Sequence, residues 1–206
     1  MKITKITCEN FRNFKDECVI TFPTDGRVTV IYGPNGVGKT TLHQLFQWII
    51  YGEVHFNRTA SAKMYNLQYE QEREIGAGFR VRGSIDFEHP NGHGMVEQYS
   101  LTRIWLYRKE IAESKKINES FSLMKKVGDD WKPVQDDAAT VMERILPSGL
   151  SRYFFFDGEN MIADLNLKGR DSAKSLRRAL YSIFDLDVYE QAITHIGSKN
   201  GGSSTV

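Results

Sequence analysis

The sequence predicts an α/β fold joined to an antiparallel meander, and three observations predict it. Residues 28–32, Val-Thr-Val-Ile-Tyr, form a β-branched run that reads as a buried strand. Gly33, Pro34, Asn35, Gly36, Val37, Gly38, Lys39 and Thr40 follow, and Leu42, Leu45, Phe46 and Ile49 then fall at helical spacing. From Phe79 the apolar period changes to two, the spacing of half-buried strands.

Taken in order, residues 2–8 read as a strand and Asn10-Phe11-Arg12-Asn13-Phe14 as a turn. Residues 18–22 read as a second strand, closed by Pro23-Thr24-Asp25-Gly26. These two strands should pair with each other beside the 28–32 strand. The loop at 33–40 fits G-x-x-x-x-G-K-[ST], and strand, glycine-rich loop and helix in that order define a phosphate-binding P-loop. Glycines let successive N–H groups face inward, and the helix adds its unpaired N-terminal N–H groups and the positive end of its dipole. Lys39 would neutralise phosphate charge, and the Thr40 hydroxyl would ligate Mg²⁺. The expected ligands are therefore ATP and Mg²⁺, cradled by Asn35, Gly36, Val37, Gly38, Lys39, Thr40 and Thr41, with Lys39 also catalytic.

The helix should run to about Tyr51-Gly52. Residues 53–78 lack a clean period, although 60–71 could form a polar helix. Phe79, Val81, Ile85 and Phe87 then alternate with polar residues. His89-Pro90-Asn91-Gly92 turns the chain, and 95–107 alternates again with Tyr99, Leu101, Trp105 and Tyr107 on one face. Residues 121–126 and 131–134 add short strands, so 79–135 reads as an inserted β-lobe with a charged connection at 109–116. Residues 136–146 are helical, stopped by Pro147-Ser148-Gly149. An apolar strand at 151–156 ends in Asp157-Gly158-Glu159, and helices follow to about Ile196. Residues 197–206 have linker composition. Two domains result: 1–196, and a flexible tail at 197–206.

The totals exclude some classes. With 27 Lys and Arg against 26 Asp and Glu, the net charge is +1, and any nucleic-acid contact must be local. No run of residues is long and apolar enough for a membrane span, and nothing resembles a signal peptide, so a cytoplasmic location and no membrane partner are expected. Cys8 and Cys18 should be free thiols on neighbouring strands. No N-K-x-D or D-x-x-G sequence occurs, which argues against a regulatory GTPase, and no L-S-G-G-Q-like sequence occurs either. A hydrolysing site also needs an acidic Mg²⁺ ligand, and Asp157 at its strand end is the candidate, with Glu159 as a possible base.

Phe11-Arg12-Asn13-Phe14, then the P-loop, then Tyr153-Phe154-Phe155-Phe156-Asp157-Gly158-Glu159 together resemble the amino-terminal lobe of SMC-like, ABC-type ATPases. The last string is most similar to ATPases of DNA phosphorothioation and phage-defence systems. The resemblance implies an ABC-ATPase-like head lobe whose terminal helices lead into a coiled coil. It implies a carboxy-terminal lobe of the same head, bearing the signature motif, Walker B and catalytic glutamate. It also implies a second ATPase subunit in a homodimer, DNA, and nuclease or other system subunits as partners. Arg12 and Asn13 would lie near the base or ribose, and Arg58 near the nucleotide. Asp157 or Glu159 would stand where the family usually places a glutamine that touches metal and water. DNA candidates are Arg80, Arg82, Arg103, Arg108, Lys109, Lys115 and Lys116, and near the coil Lys168, Arg170, Lys174, Arg177 and Arg178. Tyr99, Trp105 and Tyr107 read as core, and His43 as structural. The expected function is the ATP-binding half of an ATPase acting on DNA in repair, modification or phage defence. The alternatives are an ATP-locked interaction module or a stand-alone P-loop kinase.

Overall fold

A computed structural model describes residues 1–25, 28–52 and 63–148. Among these residues, six strands form one antiparallel sheet in the order β2-β1-β3-β4-β5-β6. They are β1 (Lys2–Glu9), β2 (Glu17–Thr21), β3 (Gly78–Pro90), β4 (Val96–Arg108), β5 (Lys115–Val127) and β6 (Asp130–Pro133). The helices are α1 (Lys39–Tyr51), α2 (Leu67–Gln71) and α3 (Ala138–Ile145). The meander and the amino-terminal hairpin share this sheet, because β3 pairs with β1 from Lys2↔Glu88 to Glu9↔Arg82.

One face of the sheet carries Ile6 and Cys8 of β1, Val81, Ile85 and Phe87 of β3, and Leu101 of β4, all buried. Helix α1 covers that face with Leu42, Leu45, Trp48 and Ile49. Trp48 lies between two aromatic rings. It stacks on Phe11 at 5.3 Å and meets Trp105 edge-on at 5.5 Å. Tyr65, Phe79 and Tyr107 form a second cluster with centroids 5.0–5.5 Å apart. Tyr99 and Tyr107 are buried, as expected of core residues.

The predicted strand at 28–32 is the main departure. Its residues pair with no strand of the sheet, and Val28, Val30, Ile31 and Tyr32 are exposed at 89, 76, 49 and 91 %. A strand requires a neighbour to take its backbone hydrogen bonds. β1 already has β2 and β3 on its two sides, and neither edge strand takes up this run.

Other boundaries moved for local reasons. β5 starts at Lys115, so only the last two residues of the charged connection, Lys115 and Lys116, become strand, and β5 begins six residues before the expected start at 121, pairing with Ile104 through Arg108. Within 60–71, only Leu67–Gln71 is described as helix. Asn66 caps it by accepting from the Tyr69 N–H at 2.9 Å, which sets its start. Asp137 caps α3 the same way through Thr140 N–H, at 3.1 Å. Cys8 and Cys18 stand opposite each other on β1 and β2 as free thiols. Burial, with a smaller contribution from Cys18, pushes the Cys8 thiol up to about 12.

Glu97 ties the β3–β4 hairpin to β5. It takes an ion pair from Lys125 at 2.8 Å, a hydrogen bond from the Tyr99 hydroxyl at 2.6 Å and another from the Asn91 amide at 2.9 Å. Lys125 first, then Tyr99 and Asn91, hold its carboxyl down to about 2. A depressed carboxyl pKa gives stability that is fully present above the ordinary value of 4.5 and lost as pH falls toward 2. Glu97→Gln should therefore be less stable than wild type at pH 7. In urea titrations at a series of pH values, that gap should close between pH 4.5 and 2; a gap that stays constant with pH refutes the assignment.

Candidate functional site

The loop before α1 is shaped by two left-handed glycines, Gly36 at φ +89° and Gly38 at φ +103°. A residue with a Cβ is strained in that region. Nothing lies within 4 Å of where a Gly36 side chain would start. Gly38 is also the residue before the first turn of α1, and it offers no side-chain cap; the first turn contains no acid. The N–H groups at this helix end are thus left for another acceptor, beside the positive end of the dipole.

Lys39 curls back over its own loop and donates to the carbonyls of Gly33 at 2.6 Å and Pro34 at 2.9 Å. Thr40 is exposed at the mouth, whereas Thr41 is buried. Asn35 and Val37 are exposed on the turn. An anion seated here would meet glycine N–H groups, a helix end and one ammonium. One hydroxyl, from Thr40, suits a magnesium ion that takes its other ligands from phosphate and water.

The Asn10–Phe14 turn approaches from the side. The Phe14 ring sits 3.4 Å from where a Gly38 side chain would begin. Arg12 is half-buried, and its guanidinium donates to Oε1 of Gln44 on α1. Burial lowers the Arg12 pKa from its ordinary value. Asn13 follows it on the exposed tip of the same turn. The P-loop residues and Arg12 thus come together along α1. Asp157, Glu159 and Arg58 lie outside the described residues, as do Lys168, Arg170, Lys174, Arg177 and Arg178.

The basic residues proposed for DNA fare unevenly. Arg103 is buried and structural: its Nε donates to the Ile49 carbonyl at 3.1 Å, its Nη2 to Ile50 at 3.4 Å, and it lies over the Phe121 ring. It serves the C-terminal end of α1, where a cation complements the dipole. Lys109 is likewise turned inward, donating to the carbonyls of Glu70, Gln71 and Arg73 at the end of α2. Both are corrected from DNA candidates to helix caps, because the buried Arg103 spends Nε and Nη2 on backbone carbonyls and Lys109 donates all three ammonium hydrogens to them. Arg80 pairs with Glu9, Lys115 with Glu110 and Lys116 with Glu119. Arg82 is half-buried and Arg108 exposed.

A family model described as an AAA domain matches residues 5–198. The chain belongs to the AAA-domain family. Over 105 residues, half of its length, this AAA domain is 40 % identical to the chromosome partition protein Smc of Mesomycoplasma hyorhinis. The match covers 10 % of that protein, so the chain spans about a tenth of the length of the curated relative it matches. The resemblance to the amino-terminal lobe of SMC-like ATPases, drawn from three short motifs, is shown by these two matches together. An α/β AAA domain with a six-stranded antiparallel sheet accords with a P-loop NTPase, and nucleotide binding is what the family implies. No helix among the described residues is long and apolar enough to cross a membrane.

Two residues that hydrogen-bond to Arg12, Gln44 and Asn66, escaped the sequence reading. Gln44 is a polar residue set within the apolar stripe of α1, four positions after Thr40, and that interruption was the signal. Asn66 gave only the ordinary signal of a helix cap.

Proposed function

We propose that this chain is the ATP-binding half of an SMC-like ATPase that dimerises on ATP and acts on DNA. The observation that carries the reading is the uncapped start of α1 behind Gly36 and Gly38, with Lys39 poised over the same loop. The N–H groups there receive β- and γ-phosphate, Lys39 offsets their charge, and Thr40 together with Asp157 holds Mg²⁺. When bound, Mg²⁺ draws charge from the transferring phosphoryl group. Arg12 and Asn13 meet the base or ribose side.

The exposed apolar run at 28–32 supports a missing neighbour. A carboxy-terminal lobe of the same head would supply the strands that bury it, together with the signature motif and the catalytic glutamate. The domain proposal is a head lobe over 1–196 leading to a coiled coil, with 197–206 as linker. Two such heads would sandwich two ATP molecules in the cytoplasm, with DNA and a nuclease or other system subunit as partners. Repair, DNA modification and phage defence all suit that chemistry.

The chain of 206 residues should bind MgATP and turn it over only when joined to its carboxy-terminal lobe. Single-turnover hydrolysis by the isolated chain, abolished in Asp157→Ala, would sink the half-site reading and make Asp157 a self-sufficient Walker B acid. A complete head that binds ATP but never hydrolyses it, with or without DNA, would mark an ATP-locked interaction module instead.

A further inference from the structure

Arg12 occupies a conformation that an arginine adopts at a cost. Its φ is +49°, and two other non-glycine residues of the same turn, Asn10 at +56° and Asp16 at +57°, share the left-handed region. The surroundings over-determine this geometry. The Arg12 N–H donates to the Met64 carbonyl at 3.0 Å, and the Asn66 side-chain amide donates to the Arg12 carbonyl at 2.6 Å. Phe11 bridges to Tyr65, and the Asn66 N–H donates to the Asn10 carbonyl at 2.8 Å. Asn10, 1 % exposed, closes the turn by accepting from Asp16 N–H and donating to the Arg80 carbonyl. The backbone of Arg12 is therefore set by the chain 52 to 54 residues downstream.

The side chain is set separately. Gln44 is 8 % exposed and faces the same side of α1 as Thr40, one turn along the helix. Its Oε1 accepts from Arg12 Nη1. A neutral amide orients a guanidinium without cancelling its charge, which a carboxylate at the same place would do.

We infer that Gln44 is a positioning residue for nucleotide binding: it aims the Arg12 guanidinium along the first turns of α1, toward the base or ribose side of a nucleotide whose phosphates the P-loop holds. The inference rests on the P-loop reading above and deepens it. Gln44 itself does not touch the nucleotide.

A double-mutant cycle on the full 206-residue chain tests it, with MgATP affinity read by calorimetry. Gln44→Met should weaken binding about tenfold, the order set by one hydrogen bond to a charged group. Arg12→Ala should weaken it at least as much. In the Arg12→Ala background, Gln44→Met should cost nothing further. Gln44→Asn, which keeps a polar amide in the pocket but withdraws its oxygen, should lose affinity like Gln44→Met and serves if the methionine variant does not fold. A Gln44 variant that folds and binds MgATP as tightly as wild type overturns the inference. So does a loss of equal size with and without Arg12, which would make Gln44 a packing residue. A wild-type chain with no Lys39-dependent MgATP binding would overturn the P-loop reading and this inference with it, whereas Lys39-dependent binding indifferent to Gln44 overturns this inference alone.

Discussion

Gly83→Val should leave the chain without a stable fold. Gly83 lies mid-strand in β3, opposite Cys8 on one side and Arg103 on the other. A Cβ there would stand 2.5 Å from Cγ1 of Ile49 and 2.8 Å from Cζ3 of Trp48. Both neighbours are fully buried, so neither side chain has anywhere to go. The helix would have to lift from the sheet, separating Trp48 from Phe11 and Trp105 and drawing the Ile49 and Ile50 carbonyls away from Arg103. Overpacking alone costs ~1–3 kcal/mol. Added to lost packing and two hydrogen bonds to a buried charge, it consumes much of a typical domain's ~5–15 kcal/mol. Gly83→Ala should be milder, since it adds the Cβ alone. Soluble yield and urea midpoints measure both; a valine variant as stable as wild type would show that α1 does not press on β3 as described.

Lys39→Ala should weaken MgATP binding about 100-fold and leave stability almost unchanged. The side chain is exposed, and its bonds go to two carbonyls of its own loop. Exposed substitutions of that kind stay within about 0.5 kcal/mol. Against a triphosphate the ammonium is a charge-assisted donor in a cradle otherwise built from neutral N–H groups, and a loss of about 100-fold in affinity, ~2.7 kcal/mol, is expected. Lys39→Arg should not restore binding fully, since a planar fork replaces a point charge. Calorimetric titration beside a urea curve separates the two effects. Unaltered affinity in the alanine variant would show that phosphate is not held at this loop.

Much of this arrangement could be read from residue order. The loop, the helix with its apolar stripe, the paired first strands and the antiparallel meander follow from periods and glycines, which act over a few residues. What escaped reading was long-range. Residues 28–32 carry every local mark of a buried strand, yet strand formation depends on a neighbour, and no local pattern names it. Arg103 looked like a surface cation because its sequence neighbours are ordinary strand residues; its role as a cap on α1 comes from chain 53 or 54 residues away. Arg12 was legible as a site residue only by resemblance, and the Gln44 contact that orients it spans 32 residues.

The Arg103 clamp also makes the two ends of α1 unlike. At its far end the last carbonyls are gripped by a buried guanidinium, Gly52 N–H closes the turn on the Trp48 carbonyl, and Trp48, Ile49 and Ile50 are buried. At its near end Lys39 and Thr40 are exposed and the helix start has no side-chain cap. Thirteen residues, about 20 Å of helix, thus run from a buried, clamped end to an exposed, uncapped one, the kind of end at which helices fray first. Ordering of that soft end by phosphate would then be entropically costly only over a turn or so, and the base of the helix would be spared any rearrangement.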